Sequence, residues 1–142
     1  MNYMDKEINL DLKKLFTSVK DDLLKIIKTE ELKNANLVCW VPHEVGSLVQ
    51  LGWEEGLIED MEEFLNDIAP PNKYLNHDET GTLFRHNFFE HIRTKIVGNV
   101  SLTLIVKDSD LYLGKYQDLY YYSPVFKDVP LQKIFVRILK FD

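Results

Sequence analysis

The strongest constraint on the fold is a change of hydrophobic period along the chain. The first two thirds repeat apolar residues every three or four positions, as amphipathic helices do, whereas residues 101–140 largely alternate apolar and polar side chains, as strands do. The helical pattern predicts a first helix over residues 11–32, a second over residues 57–68 and a third from about 82 to 97. A strand that is apolar on both faces is predicted at residues 37–41.

The last third of the chain supplies most of the predicted strands. They are expected at residues 101–106, 111–122 and 132–140, with a short additional strand near 8–10. In the final strand, Ile134, Val136 and Ile138 would share one side. Helices early in the chain and adjacent strands late in it are typical of an α+β fold with largely antiparallel pairing and about three helices.

Length, charge and cysteine content limit the class of protein. The 142 residues suit one domain, so residues 1–142 are predicted to form a single unit. No apolar run is long enough to cross a bilayer, and no export signal is evident. The single cysteine, Cys39, excludes an intramolecular disulfide. With 17 basic against 23 acidic residues, a nucleic-acid partner is disfavoured. We therefore expect a cytoplasmic protein with neither a membrane nor a nucleic-acid partner.

Four histidines are the main candidates for chemistry. His43 follows the predicted buried strand, His77 lies in the loop between the second and third helices, and His91 lies on the third helix, four residues after Asn87. His86 would point about 140° away from His91 around that helix. Three neutral imidazoles from three elements would suit a catalytic zinc with an open position. However, no pair has the spacing of His-Glu-x-x-His, so spacing alone favours incidental histidines.

Other polar or reactive groups are explained at least as well by structure. The acidic residues of the second predicted helix fit its solvated face, although carboxylates can also bind metal; they are Asp60, Glu62, Glu63 and Asp67. The tyrosines near residues 116–122 could stack on an aromatic ligand, but packing or a subunit interface is favoured. Gly114 has no phosphate-loop context, so a nucleotide site is not supported.

Several short motifs recur in the order seen in one family of small proteins. The first is the buried strand with its histidine, at residues 37–43. It is followed by Asp-Met at 60–61, Tyr…His-Asp at 74–78, Asn…His-Ile at 87–92 and Leu-Gly-Lys-Tyr-Gln at 113–117. Taken together they resemble the YjbQ-like family, described as secondary thiamine-phosphate synthases, over about residues 11–140. The resemblance implies a compact α+β unit with β-sandwich-like sheets that assembles as a homotrimer.

The same resemblance implies a site and an activity. It places His43, His77 and His91 around a pocket suited to a divalent metal, zinc or magnesium. Further polar groups are assigned to this site by the same comparison: Glu54, Glu55, Gln117 and Asn87. The implied activity joins the pyrimidine diphosphate and thiazole phosphate halves of thiamine and releases pyrophosphate, so the expected ligand is a small phosphorylated molecule.

The sequence also departs from the family pattern. Glu44 and Val45 stand where the family has two hydroxyl residues, and Lys115-Tyr116 replaces Thr-Trp. The family's Asn-Glu pair falls near residues 51–55, where the alignment needs a gap. The family's Arg pairs near the last strand are likewise reduced to Gln132-Lys133. These changes remove hydroxyl donors and Arg groups of the sort that bind phosphate. Two alternatives to a weak transferase therefore stay open: a non-catalytic binding protein with a decayed pocket, and a metal-dependent hydrolase with Glu44 or Glu54 as base.

Overall fold

The computed structural model describes residues 2–71, 73 and 88–141. Its elements, in chain order, are β1 Tyr3–Asp11, β2 Phe16–Ser18, α1 Lys20–Thr29, β3 Asn34–Trp40, β4 Ser47–Gly52, α2 Leu57–Ile68, α3 Phe88–Ile96, β5 Ser101–Lys107, β6 Asp110–Leu111, β7 Gln117–Tyr122 and β8 Leu131–Phe141. The predicted α+β class is confirmed.

Two antiparallel sheets organise these elements. The larger sheet has the strand order β1-β8-β3-β5-β6, and the smaller has the order β2-β7-β4. The main core lies under the inner face of the larger sheet, because alternate residues of each strand point inward. On β8 these inward residues include Ile134, Val136 and Ile138, which are at most 1% exposed, as the alternation predicts.

Strand β7 contributes to two clusters of buried side chains. Leu119 and Tyr121 belong to the main core, whereas Tyr122 packs with Phe16, Leu65 and Val97 in a second cluster. Since Leu65 lies on α2, this second cluster attaches that helix to the smaller sheet. The tyrosines at 121 and 122 are thus used for packing.

The predicted first helix is wrong over its first part. Residues 16–18 form β2, which pairs with β7 in the register Phe16↔Tyr122, and the helix begins only at Lys20. The apolar spacing of residues 12–19 fits a helix. Residues 16–18 nevertheless form a strand, because their backbone groups pair with those of β7. Strand β4 was not predicted at all. Helix α2, in contrast, has the predicted bounds, although its Phe64 is half exposed.

The turn after α3 attaches that helix to β4. Gly98 has a φ of +66°, and a Cβ atom there would overlap the carbonyl oxygen of Leu48. Leu48 and Asn99 exchange two backbone hydrogen bonds of 2.7 Å at this point. In the described ranges, none of the helices is both long enough and apolar enough to cross a membrane.

Candidate functional site

His43 lies in the segment between β3 and β4 and is held by the backbone of β8. Its Nε2 accepts a hydrogen bond of 3.0 Å from the backbone N–H of Lys133. The ring lines a pocket of about 250 Å³. The residues that line this pocket, called the His43 pocket below, are Asn9, Leu10, His43, Leu131, Gln132 and Lys133.

Electrostatics keep the His43 ring neutral near pH 7. Partial burial lowers the pKa of the His43 imidazole, and the charge of Lys133 lowers that pKa further. A neutral imidazole carries one hydrogen, and here Nε2 is an acceptor. The hydrogen is therefore on Nδ1, which makes His43 a hydrogen-bond donor at its other nitrogen.

Two more donors share the His43 pocket. Asn9 and Lys133 are directly opposite one another on the paired strands β1 and β8. The Lys133 ammonium pairs with Glu7 at 3.4 Å, and both side chains are about half exposed, so little free energy holds it there. The residues that line the pocket thus include a histidine, an asparagine and a lysine whose ammonium is free to leave Glu7, and these residue types suit a small oxyanion.

Helix α3 lies close to the segment that carries His43. The Nζ atom of Lys95 is 3.0 Å from Oε1 of Glu44, the residue after His43. Ser47 in turn donates a hydrogen bond of 2.6 Å to the carbonyl oxygen of Val97. His91 lies one helical turn before Lys95 on the same face. The other predicted site residues of this region, His77 and Asn87, lie outside the described residues, as does His86.

The described residues do not by themselves form a metal site. Across residues 2–71, 73 and 88–141, no three side chains of the His, Cys, Asp or Glu type lie together in a way that could hold a metal ion. His43 also has Nε2 engaged and its hydrogen on Nδ1, so it would have to leave Lys133 before it could bind a cation. The three-histidine site stays a prediction, because His77 is outside the described residues.

The other predicted polar groups lie at the opposite end of the smaller sheet. Ser47 and Gly52 bound β4, and five residue steps at about 3.3 Å each separate them by about 17 Å. Gln117 is paired with Gly52, and its Oε1 accepts a hydrogen bond of 2.7 Å from the Gly114 N–H. Glu54 and Glu55 follow Gly52 and are exposed. Within one chain, the structure therefore does not bring these three residues together with His43.

An exposed aromatic pair accompanies Glu54 and Gln117 at this far end. The ring centroids of Trp53 and Tyr116 are 5.7 Å apart, and Trp53 Nε1 donates to the carbonyl oxygen of Lys115 at 3.4 Å. Both side chains are more than half exposed. The backbone N–H of Trp53 also donates to the carbonyl oxygen of Tyr116 at 3.2 Å, directly after the last pair of the β4–β7 ladder.

Sequence reasoning did not assign Asn9, Gln132 or Lys133 to the site, and noted Gln132-Lys133 only as the reduced form of the family's basic pattern near the last strand. Asn9 and Lys133 are ordinary polar residues on the outer side of an alternating strand. Gln132 occupies an inward position of β8 and is only 4% exposed. A polar residue in the inward register of a buried strand is the one signal that could have indicated it, since such a group needs hydrogen-bond partners.

Comparison with solved structures defines the class of protein. A YbjQ-like protein of unknown function from Sulfolobus solfataricus P2 matches with a TM-score of 0.80 and 20% identity, over 99% of each chain. A YjbQ/UPF0047 family protein from Clostridium acetobutylicum matches with a TM-score of 0.77 and 20% identity, over 94% of this chain and 99% of that one. A hypothetical protein from Aeropyrum pernix K1 gives 0.75 and 21%, over 99% and 100%. These likenesses show the fold: this is a small α+β protein of the YjbQ architecture.

Sequence comparison makes the family assignment. The family model described as "UPF0047 protein YjbQ-like" matches residues 6–140, so the chain belongs to the YjbQ-like family. A UPF0047 protein from Archaeoglobus fulgidus is 30% identical over 87 residues, which are 61% of this chain. The match spans 65% of that protein's length, slightly less than two thirds. The resemblance inferred from the ordered motifs is thereby confirmed at the level of the family.

Proposed function

We propose that this YjbQ-like protein binds a small phosphorylated molecule in the His43 pocket. The observation that carries the proposal is the hydrogen bond from the Lys133 N–H to His43 Nε2, since it leaves Nδ1–H as a donor. Lys133 and Asn9 line the same pocket of about 250 Å³. Hydrogen bonds from a cation to phosphate oxygens are among the strongest that side chains make.

Thiamine-phosphate synthase-like transfer is the narrower form of this proposal. Both implied substrates carry phosphate groups, so both need an oxyanion site of this kind. The side chains expected to assist transfer, Glu54, Glu55 and Gln117, lie at the other end of β4 within the same chain. The geometry therefore supports ligand binding more directly than transfer, and we favour the non-catalytic alternative.

Binding would be tested by calorimetric titration with inorganic phosphate, pyrophosphate and the two thiamine precursors. We expect Lys133→Gln to weaken phosphate binding by about 10- to 150-fold, because a hydrogen bond to a charged group contributes about 1.5–3 kcal/mol. Lys140→Gln is the matched control, since Lys140 is exposed near the far end of the same strand. Equal affinity of wild type and Lys133→Gln would contradict the proposal. Pyrophosphate release from the two precursors together would identify the transferase.

The three-histidine metal site is a separate proposal with its own measurement. Transfer of His43 from Lys133 to a metal would give up one hydrogen bond, worth about 0.5–1.5 kcal/mol net. That loss is small beside the about 10–16 kcal/mol of structural zinc sites. Metal content would be measured on protein purified without a His tag. A stoichiometric metal that His43→Gln and His91→Gln both remove would support the site, and equal content in all three proteins would contradict it.

We further propose that the outer face of the larger sheet is the interface of a homotrimer. Large apolar side chains are exposed on this face: Tyr3, Trp40, Ile105, Leu131 and Phe141. Exposed apolar side chains grouped in this way are typical of protein–protein contacts. The same face carries the Asp5–Arg137 and Glu7–Lys133 ion pairs, and Leu131 also lines the His43 pocket, so a trimer built on this face would place the pocket at or beside the subunit contact. Sedimentation equilibrium would be expected to give a trimer for the wild type and a smaller species for Ile105→Glu. A monomeric wild type would contradict the assembly.

A further inference from the structure

A buried hydrogen-bond network lies directly behind the bond between His43 and Lys133. Gln132 is its centre: its Oε1 accepts a hydrogen bond from the Tyr121 hydroxyl. Its Nε2 donates to Ser123 Oγ at 3.0 Å and to the Val129 carbonyl oxygen at 2.9 Å. Tyr121 and Ser123 have no exposed surface. Gln132 is therefore fixed from three sides by groups that belong to β7 and the segment after it.

The segment that carries His43 packs on the same network through a glycine. A Cβ atom on Gly46 would overlap the Tyr121 hydroxyl and would lie 3.0 Å from Gln132 Oε1. The backbone of Gly46 thus lies directly against the Tyr121–Gln132 pair. Because Gly46 is only three residues after His43, the network sets how closely the His43 segment approaches β8.

The donor side of the bond is fixed by the same pair. Gln132 and Lys133 are consecutive residues of β8, so their side chains point to opposite faces of the sheet. The side chain of Gln132 is held inside while the neighbouring backbone N–H of Lys133 is offered to His43. Both partners of the His43–Lys133 hydrogen bond are consequently placed by one network.

We propose that Tyr121 and Gln132 are positioning residues, which hold the His43 segment and the Lys133 amide so that the His43 ring is fixed as its Nδ1–H tautomer. The proposal rests on the proposed function in one respect: His43 is taken as the residue that presents a donor to the ligand. A change at Tyr121 then alters the tautomer of the His43 ring indirectly, through Gln132 and the segment that carries His43. Tyr121 itself contacts no ligand in this arrangement.

The test is nitrogen NMR of the His43 imidazole together with amide hydrogen exchange at Lys133, in the full chain without ligand. The His43 signals are assigned by their loss in His43→Gln. In the wild type we expect a pyridine-like Nε2, a pyrrole-like Nδ1 and a slowly exchanging Lys133 amide. In Tyr121→Phe, Gln132 Oε1 loses its donor, so the Lys133 amide should exchange about tenfold faster and the Nε2–H tautomer should gain population.

Tyr122→Phe is the matched control. It removes the same hydroxyl from the next residue of β7, whose ring packs in the other cluster. We expect it to leave the His43 tautomer and Lys133 exchange as in the wild type, whatever it does to overall stability. Ser123→Ala removes a smaller part of the network and should give a weaker shift in the same direction as Tyr121→Phe. It serves as the decisive variant if Tyr121→Phe does not fold.

Two results would overturn the proposal. One is an unchanged tautomer and unchanged Lys133 exchange in Tyr121→Phe, or in Ser123→Ala if that variant has to decide. The other is an equal change in Tyr122→Phe, which would mean that general loosening of the core is responsible. The NMR and hydrogen-exchange measurements are made without phosphate. They therefore test the positioning role independently of whether the pocket binds a phosphorylated ligand.

Discussion

Replacement of Gly46 by alanine is the substitution whose effect can be derived most fully from the structure. Gly46 is buried and its φ is not in the left-handed region, so alanine is conformationally acceptable there. The difficulty is steric. The new Cβ would overlap the Tyr121 hydroxyl and would lie 3.0 Å from both Tyr121 Cζ and Gln132 Oε1. These neighbours are buried and hydrogen-bonded, so they cannot turn aside freely.

Two terms set the size of the effect. Forcing an extra carbon into a packed core costs about 1–3 kcal/mol. If the Tyr121–Gln132 hydrogen bond breaks to make room, leaving buried groups unpaired costs about 1–3 kcal/mol more. The lower entropy of the unfolded alanine chain offsets about 0.4–1 kcal/mol. We therefore expect Gly46→Ala to lower the free energy of unfolding by about 2–4 kcal/mol, a large part of the typical 5–15 kcal/mol.

Urea unfolding followed by fluorescence would measure this change. Gly114→Ala is the control, since the nearest atoms to its new Cβ belong to the exposed side chain of Gln117, and its effect should stay within about 0.5 kcal/mol. In Gly46→Ala the new Cβ overlaps the Tyr121 hydroxyl, and Tyr121→Phe removes that hydroxyl. The double variant should therefore lose about 1 kcal/mol less free energy of unfolding than the two single variants lose together. Strictly additive losses, or a Gly46→Ala protein as stable as wild type, would show that the new Cβ does not collide with the Tyr121 hydroxyl.

Three further predictions concern other parts of the chain. Gly98→Ala should lower the free energy of unfolding by more than about 3 kcal/mol in the same urea assay, because the strain of a positive φ adds to an overlap with the backbone of Leu48. A loss below about 1 kcal/mol, the size of an ordinary surface change, would contradict this. Cys39 is buried, and burial raises the pKa of its thiol to about 12, so a thiol reagent at neutral pH should label it only after urea is added; fast native labelling would contradict that placement. For His43 the folded pKa lies below the unfolded value, so the unfolded chain takes up the proton first and stability should fall as pH drops below about 6.5. His43→Gln should reduce that fall, and an unchanged profile would show that the ring is not buried as described.

The sequence was most informative where local pattern and local signals agree. Helix α2 was predicted with its observed bounds, because an apolar stripe runs from Leu57 to Ile68 and two prolines follow. Strand β2 could not be predicted in this way, since Phe16 has helix-compatible spacing and becomes a strand only through pairing with Tyr122. Strand β4 was missed because its conformation depends on pairing with β7, and no local pattern shows that these two distant segments pair.

In the candidate site, too, the residue types follow from local motifs, whereas their contacts depend on the pairing of distant strands. His43 was identified from the ordered motifs, but nothing in the sequence shows that its Nε2 is engaged by the Lys133 N–H, because that bond joins residues 90 positions apart. Gln117 was expected to line the same site, whereas the structure uses its side chain to close the turn at Gly114. Sequence motifs therefore gave the types of residue, and the pairing of distant strands decided which of them meet.

One titration tests the proposed location of the ligand site most directly. Uniformly labelled protein would be titrated with inorganic phosphate while the backbone amides of Asn9 and Lys133 and the indole N–H of Trp53 are followed by NMR. We predict saturable shifts of the two amides and an unmoved indole, because Trp53 lies beyond the far end of β4. A saturable shift of the Trp53 indole with unmoved Asn9 and Lys133 amides would place the site at the opposite end of the smaller sheet and contradict a ligand site at the His43 pocket.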